Sequence, residues 1–222
     1  MIQIVTKLVL KPLARAVYRP VVEGLENVPR KGGVILASNH LSFIDSVVIP
    51  LTAPRPISFL AKAEYFQGKG LRGRLLRSLF KAINAVPVER GTVHLAQAAL
   101  DAALEILQDD QAFGIYPEGT RSLDGRLYRG KTGVAWLALT AGVPVVPVAL
   151  EGTELIQPVG RKLPRIRRVT VRFGEPLDFS ELHGQAGSAK VRRQVTDEVM
   201  RAVHELSGQE LARVYNELPK AA

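Results

Sequence analysis

Two short polar segments of the sequence carry residue types that could perform chemistry. The first is N-H-L-S-F-I-D, in which His40 precedes Asp45 by five residues. A carboxylate that accepts a hydrogen bond from one imidazole nitrogen fixes the tautomer of the ring and leaves the other nitrogen to take a proton. Such a pair could activate a hydroxyl group, which is a poor nucleophile at neutral pH.

Other interpretations of this first segment stay open on spacing alone. A helix is predicted to begin at Asp45, and the spacing slightly favours the simpler view that Asp45 caps this helix while His40 occupies an ordinary turn. A hydrolytic triad with Ser42 or Ser46 ranks lower, because no G-x-S-x-G nucleophile elbow occurs. A zinc site is disfavoured as well, since the remaining histidines show no ligand spacing with His40; these are His94, His183 and His204.

The second polar segment is Y-P-E-G-T-R-S at residues 116–122. Gly119 permits a tight backbone, Thr120 offers a hydroxyl and Arg121 a forked guanidinium, and together these groups could hold a phosphate. Glu118 would repel an anion, so its expected role is to orient a cation such as Arg121 or to bind an acceptor hydroxyl. An ordinary polar turn with a surface ion pair explains the same residues equally well.

The elements that must position these segments are predicted to alternate between strands and helices. Short apolar runs predict strands at 33–38, 57–61, 85–88, 112–116, 145–150 and 169–173, and apolar periodicity predicts helices at 45–51, 71–83, 92–107, 134–141 and 189–206. This alternation predicts an α/β fold with a mostly parallel central sheet covered by helices on both faces. Both polar segments follow predicted strands, as does Glu89-Arg90, and sites of such sheets gather at the carboxyl ends of strands.

Four sequence blocks in a fixed order indicate the family that the chain resembles. They are N-H-x-x-x-x-D at 39–45, a strand ending in arginine at 86–90, Y-P-E-G-T-R-S at 116–122 and an apolar block with prolines at 143–148. In this order they resemble the glycerolipid acyltransferases typified by lysophosphatidic acid acyltransferase, over about residues 20–180. The ordered set outweighs the simpler interpretations of each block, and the departures are small, such as Tyr116 in place of the usual phenylalanine.

The resemblance implies an O-acyltransferase of phospholipid biosynthesis. It would transfer a fatty acyl group from acyl-CoA or acyl carrier protein to the sn-2 hydroxyl of 1-acyl-glycerol-3-phosphate, giving phosphatidic acid. His40 would be the base and Asp45 its orienting carboxylate, and no metal or cofactor is implied because the thioester is already an activated acyl group. The residues that would bind the acceptor are Lys62, Arg90, Glu118, Gly119, Thr120 and Arg121.

Two alternatives to this function remain. The nearer one is the same acyl transfer to another lysolipid or to glycerol-3-phosphate, since the blocks indicate the reaction better than the acceptor. The more distant one is a non-catalytic lipid- or membrane-binding protein, and the intact His40, Asp45, Glu118 and Arg121 argue against it.

The composition narrows the classes of partner. The 222 residues include no cysteine, which excludes disulfides, thiolate metal sites and a cysteine nucleophile. A net charge of +9 favours an anionic partner. Aromatic residues make up only 6% of the chain and are not interleaved with the basic clusters, so stacking platforms for single-stranded nucleic acid are lacking and no nucleic-acid partner is expected.

Residues 1–19 are expected to form a membrane-facing segment ahead of an acyltransferase domain at 20–222. Lys7, Lys11 and Arg15 recur at steps of four opposite apolar residues, which predicts a basic amphipathic helix kinked at Pro12. Such a helix suits an anionic membrane surface, although a helix packed on the domain explains the pattern equally well. We therefore expect a peripheral or monotopic protein at the cytoplasmic face of the cell membrane.

Residues 132–150 carry no charge and have nearly the length of a membrane-spanning helix. Gly142, Pro144 and Pro147 interrupt this stretch, so it is predicted to be a buried helix followed by a strand. Basic clusters within 69–81 and 161–168 are further candidates for contact with lipid headgroups, and the second could also attract CoA phosphates or an acidic carrier protein.

Overall fold

The computed structural model describes residues 12, 17–68, 70, 73–74, 77–78, 80, 84–88, 93–158 and 165–217. The strands in this part of the chain are β1 (Val21–Glu23), β2 (Val34–Ser38), β3 (Ile57–Lys62), β4 (Ala85–Val88), β5 (Ala112–Ile115), β6 (Val145–Glu151) and β7 (Thr170–Phe173). The α-helices are α1 (Asp45–Thr52), α2 (Glu64–Gln67), α3 (Val93–Gln108), α4 (Gly133–Ala141), α5 (Thr153–Ile156) and α6 (Ala189–Ser207), with 3-10 turns at Leu25–Asn27 and Ser180–Leu182.

The strands form one sheet in the order β1-β7-β6-β2-β5-β3-β4. Every neighbouring pair is parallel except β6 and β7, which run antiparallel. Helices cover both faces of the sheet, so the predicted α/β fold with a mostly parallel sheet is confirmed.

The central strand β2 shows why the sheet needs both layers. Its five residues are all buried, as expected for a parallel strand covered on both faces. Because side chains alternate along a strand, Val34 and Leu36 pack into the layer that contains α1, whereas Ile35 and Ala37 pack into the layer formed by α3, α4 and α6.

The uncharged stretch 132–150 folds as predicted. Helix α4 is capped by Gly142, whose φ of 65° lies in the left-handed region that favours glycine, and β6 follows within the core. Across the described part of the chain, no helix combines the length and the apolar character needed to cross a membrane. Most of the predicted helix at 71–83 and of the amphipathic segment at 1–19 lies outside the described residues.

Strands β2 and β5 place the two polar segments side by side. The two strands pair in parallel, with Ala37 opposite Ile115, so the polypeptide leaves both of them at the same end of the sheet. Residues 39–45 continue from β2 and residues 116–122 continue from β5. The fold therefore joins segments that are about 75 residues apart in the sequence.

Candidate active site

His40 and Asp45 form the predicted hydrogen-bonded pair. The distance from His40 Nδ1 to Asp45 Oδ2 is 2.8 Å, and the Asp45 side chain is fully buried while that of His40 is 16% exposed. Because a carboxylate only accepts hydrogen bonds, Nδ1 carries the hydrogen of this bond and Nε2 is left as the proton acceptor. No described residue hydrogen-bonds to Nε2, so the pair is arranged as a general base.

Asp45 holds the turn as well as the imidazole. Its Oδ2 atom also accepts from the backbone N–H groups of Leu41 and Ser42, each at 2.8 Å. Asp45 is the first residue of α1, where the helix dipole favours a negative charge. Asp45 therefore orients His40 and the turn, whereas the helix cap that the spacing slightly favoured is absent: both backbone donors precede α1, and no side-chain hydrogen bond caps this helix.

Tyr116 supports the face of the imidazole. The two ring centroids are 3.9 Å apart with an interplanar angle of 10°, and the phenol oxygen of Tyr116 lies 3.0 Å from Ser46 Oγ. Phe59 stacks on Tyr116 with centroids 5.4 Å apart. Burial, followed by the nearby charge of Asp45, raises the pKa of Tyr116 well above its usual range, so the ring stays neutral. The negative face of this ring favours the imidazolium that forms when His40 takes a proton.

The buried side chain of Glu118, in the second polar segment, is hydrogen-bonded to the first segment. Its fully buried carboxylate accepts from the backbone N–H of His40 at 3.0 Å through Oε1, and from that of Tyr128 at 2.9 Å through Oε2. Burial raises the pKa of Glu118 to about 7, against the opposing effect of these two donors. The carboxylate thus orients backbone groups of both loops, rather than the cation that the sequence suggested as its partner.

Two further contacts fix the position of His40. The N–H of Ser122 donates to the His40 carbonyl at 2.8 Å, which ties the second polar segment to the first. The fully buried side chain of Asn39 pairs with the backbone of Leu150, accepting from its N–H at 2.8 Å and donating to its carbonyl at 2.9 Å. His40 is therefore held between Leu150 of β6 and Ser122 of the 116–122 loop.

The remaining predicted residues of this loop lie at its surface. Gly119 has a φ of 80°, and a Cβ added there would come within 3.1 Å of Lys131 Nζ. Thr120 and Arg121 are both partly buried, with no carboxylate at ion-pair distance from Arg121 in the part of the chain that the structure describes. Arg121 and the Lys131 ammonium group thus offer positive charge close to Gly119.

Two predicted acceptor residues lie wholly or partly outside the described part of the chain. Arg90 lies outside the described residues, and of Lys62 only the backbone, at the end of β3, is described. Within the described ranges, no group of three histidine, aspartate or glutamate residues has the arrangement of a metal site.

An apolar groove opens beside α1, next to the turn at residues 39–45. Val48 and Leu51 of this helix line it on one side together with Ile44, which precedes the helix, and Tyr18 and Ile156 also line it. The surface of the groove is almost entirely apolar, which suits a hydrocarbon chain.

Sequence reasoning missed how these residues support one another. The stacking role of Tyr116 and the backbone anchoring by Asn39 and Glu118 depend on which strands are neighbours in the sheet. Asn39 and Tyr116 belong to the sequence blocks at 39–45 and 116–122, which indicated that both residues lie near the site. The blocks did not indicate which residues they contact.

Several known proteins are similar to this chain in sequence. The family model described as Acyltransferase matches residues 19–151. A 1-acyl-sn-glycerol-3-phosphate acyltransferase of Borreliella burgdorferi is 31% identical over 134 residues, which are 60% of this chain and 52% of that protein. A chloroplastic protein of the same name from Arabidopsis thaliana is 33% identical over 144 residues, covering 64% of this chain and 39% of its own length. The chain thus spans about half, or less, of these relatives.

A solved structure is similar over most of the chain. It is the 1-acyl-sn-glycerophosphate (LPA) acyltransferase PlsC from Thermotoga maritima, with a TM-score of 0.66 and 28% sequence identity. The match covers 90% of this chain and 79% of the solved one.

Proposed function

The chain belongs to the acyltransferase family, and we propose that it transfers a fatty acyl group from a thioester to the sn-2 hydroxyl of 1-acyl-glycerol-3-phosphate. The observation that carries this proposal is the 2.8 Å bond between His40 Nδ1 and buried Asp45, which leaves Nε2 to act as a base. The activity named for relatives from bacteria and plants supports the choice of acceptor.

In the proposed reaction, His40 Nε2 takes the proton of the acceptor hydroxyl as its oxygen attacks the thioester carbonyl. A new ester bond forms, the carbon–sulfur bond breaks, and the imidazolium returns the proton to the departing thiolate. Asp45 stabilises the charged imidazolium from the Nδ1 side and Tyr116 does so from the ring face. The thioester is already activated, so the proposal requires no cofactor, and acyl-CoA and acyl carrier protein are both candidate donors.

The acceptor phosphate is proposed to bind where the 116–122 loop turns. Arg121 supplies a guanidinium without a carboxylate partner among the described residues, exposed Gly119 lets a ligand approach the backbone, and the partly buried Thr120 lies between them in the sequence. Lys62 and Arg90 are proposed to complete this site, and Glu118 to hold the loop in place from beneath. An acyl chain would lie in the apolar groove beside α1.

The substrates place the protein at a membrane in this proposal. A lysophospholipid and its diacyl product reside in a bilayer, so the site must reach its surface, and the net charge of +9 suits anionic lipids. We propose peripheral or monotopic attachment at the cytoplasmic face.

A panel of acceptors tests the function directly. The purified protein is incubated with labelled acyl-CoA, or with acyl carrier protein, and with lysophosphatidate, other lysolipids or glycerol-3-phosphate, and the products are identified by mass spectrometry. We expect phosphatidic acid as the main product. A different acylated product would change the acceptor, and no acylated product from any pair would refute the enzymatic function.

Arg121→Ala tests the phosphate site. Loss of a charge-assisted hydrogen bond of about 1.5–3 kcal/mol should raise the KM for lysophosphatidate by roughly 10- to 100-fold. Arg126→Ala is a suitable control, because Arg126 lies in the same loop region but pairs with Asp124 at 2.7 Å. If Arg121→Ala left the KM unchanged, its proposed role would be wrong.

A further inference from the structure

Residues 209–217 cross the loop that carries Glu118 and Arg121, and we call them the 209–217 strap. The N–H of Leu127 donates to the carbonyl of Glu210 at 2.8 Å, and the N–H of Ala212 donates back to the carbonyl of Leu127 at 2.9 Å. The N–H of Arg129 donates to the carbonyl of Val214 at 2.8 Å. The strap lies beyond the residues matched by the family model, yet it is bonded to the candidate active-site loop along much of its length.

Asn216 completes a clamp on one peptide group of this loop. Its Nδ2 atom donates to the carbonyl of Arg121 at 3.0 Å. The N–H of the same peptide, which belongs to Ser122, donates to the carbonyl of His40 at 2.8 Å. Because a peptide group is rigid and planar, a bond that orients its carbonyl also orients its N–H. Asn216 therefore acts on the link between Arg121 and the base.

Gln209 bridges the other side of the site. Its Oε1 atom accepts from Asn39 Nδ2 at 2.7 Å, and its Nε2 atom donates to the carbonyl of Gly125 at 2.7 Å. Asn39 directly precedes His40 and is fully buried. One amide side chain thus ties Asn39, the residue beside His40, to Gly125, which follows the 116–122 segment.

The origin of the strap is itself fixed by the fold. It follows α6, whose last residue is Ser207 and whose C-cap is Gly208, and His204 Nδ1 lies 2.9 Å from the carbonyl oxygen of Gln209. At its far end, the Tyr215 ring lies 5.2 Å from the Arg129 guanidinium and the Tyr215 hydroxyl accepts from Arg193 at 3.3 Å. Both ends of the strap are therefore held while Gln209 and Asn216 reach inward.

We propose that Gln209 and Asn216 are positioning residues of the acyl transfer reaction. Gln209 sets the backbone position of the base through Asn39, and Asn216 sets the position of Arg121 relative to His40. This inference rests on the proposed function. A displacement of about 1 Å between reacting groups can lower the rate by about 100-fold, so these amides can influence catalysis without touching substrate.

The two residues should affect different kinetic constants. In Asn216→Ala, the KM for lysophosphatidate should rise by about tenfold while kcat changes little, because one hydrogen bond that orients the anion-binding segment is lost. In Gln209→Ala, kcat should fall by about tenfold with little change in KM, because the anchor of the base is loosened. Glu217→Ala and Glu210→Ala are matched controls, since these exposed side chains flank the two amides.

A purely structural role would give a different result. The proposal would be overturned if, in both variants, kcat fell and KM rose together in proportion to a lower Tm. It would also be overturned if neither constant changed in either variant.

A second measurement separates this proposal from the proposed function. Asn216→Ala should speed hydrogen exchange of the Ser122 amide by at least about tenfold relative to Glu217→Ala, because the clamp on its peptide is released. If the wild-type protein transferred no acyl group, the proposed function would fail, and the Ser122 exchange rate would still decide whether the clamp exists. Unchanged exchange would refute the clamp whatever the activity.

Discussion

At the scale of single residues, Asp45 satisfies three donors with one oxygen atom. It binds the imidazole of His40 and two backbone N–H groups of the intervening turn. The spacing of five residues predicted that the two side chains could meet, but it did not reveal that the turn closes around the same carboxylate. The bond from His40 to Asp45 fixes the tautomer of the imidazole. The two bonds from the backbone to the same carboxylate fix the turn that brings these residues together.

The variant His40→Ala should lose acyl transfer by about 100- to 10,000-fold, the usual contribution of a general base. Folding should be nearly unaffected, because Asp45 keeps its two backbone donors. Steady-state turnover and thermal unfolding measure the two effects. His183→Ala, at an exposed histidine, is the control. Near-native turnover of His40→Ala would exclude this mechanism.

Glu118 couples the stability of the protein to pH. Its pKa rises from 4.5 to about 7 on folding, chiefly through burial. Between these values the folded state binds more protons than the unfolded state at this group, so its contribution to stability is present at low pH and is lost as the pH rises toward 7.

Glu118→Gln should remove this dependence. The unfolding free energy of the wild type, relative to the variant, should fall by about 2–3 kcal/mol between about pH 5 and pH 8. Urea unfolding at several pH values measures the difference, with the exposed Glu26→Gln as control. A difference that stays constant over this range would mean that Glu118 does not titrate there.

At the scale of elements, the sequence predicted which segments are strands but not which strands are neighbours. Apolar runs and their polar ends predicted β2 and β5 and the two polar segments that follow them. The order β1-β7-β6-β2-β5-β3-β4 arises from long-range packing that no local pattern encodes. Contacts that depend on this order, such as Glu118 to His40 and Tyr116 beneath the imidazole, therefore had to come from the structure.

Gly114 in β5 allows the ring of Phe59 to lie against the strand. A Cβ at this position would come within 2.1 Å of the Phe59 ring, which in turn stacks on Tyr116. Because Gly114 has no side chain, the Phe59 ring can lie close to β5, and this fixes the position of the Phe59–Tyr116 stack that supports His40.

Gly114→Ala should destabilise the protein by about 1–3 kcal/mol, as expected for overpacking of a core, and should lower kcat by displacing the stack. Chemical unfolding and steady-state kinetics measure these changes. Gly187→Ala is the matched control, because a Cβ there would meet no atom within 4 Å. If both variants behaved alike, the close approach of Phe59 would have no role.

At the scale of the whole molecule, basic and apolar side chains share one exposed region near the apolar groove beside α1. Arg165, Arg167 and Arg168 are exposed, as is 66% of Ile166. The N–H of Arg165 donates to the carbonyl of Ile156, a residue that lines the apolar groove. This combination suits contact with an anionic bilayer surface.

Charge reversal in this region should weaken membrane binding. Arg167→Glu with Arg168→Glu should lower the fraction of protein that sediments with anionic vesicles, since each basic residue near the surface contributes about 1 kcal/mol. Lys190→Glu with Arg201→Glu is the control, with the same change of charge on the exposed side of α6. Equal loss in both double variants would indicate a general effect of net charge rather than a membrane-facing region.

The stacked and hydrogen-bonded imidazole of His40 has a consequence for the entropy of the reaction. A ring held 2.8 Å from Asp45 and 3.9 Å above Tyr116 has already lost the side-chain rotations that a free histidine would have to give up at each encounter with substrate. That ordering takes place once, when the chain folds, and is not repeated at every turnover. The activation barrier of the proposed reaction therefore needs to include little reorganisation of His40.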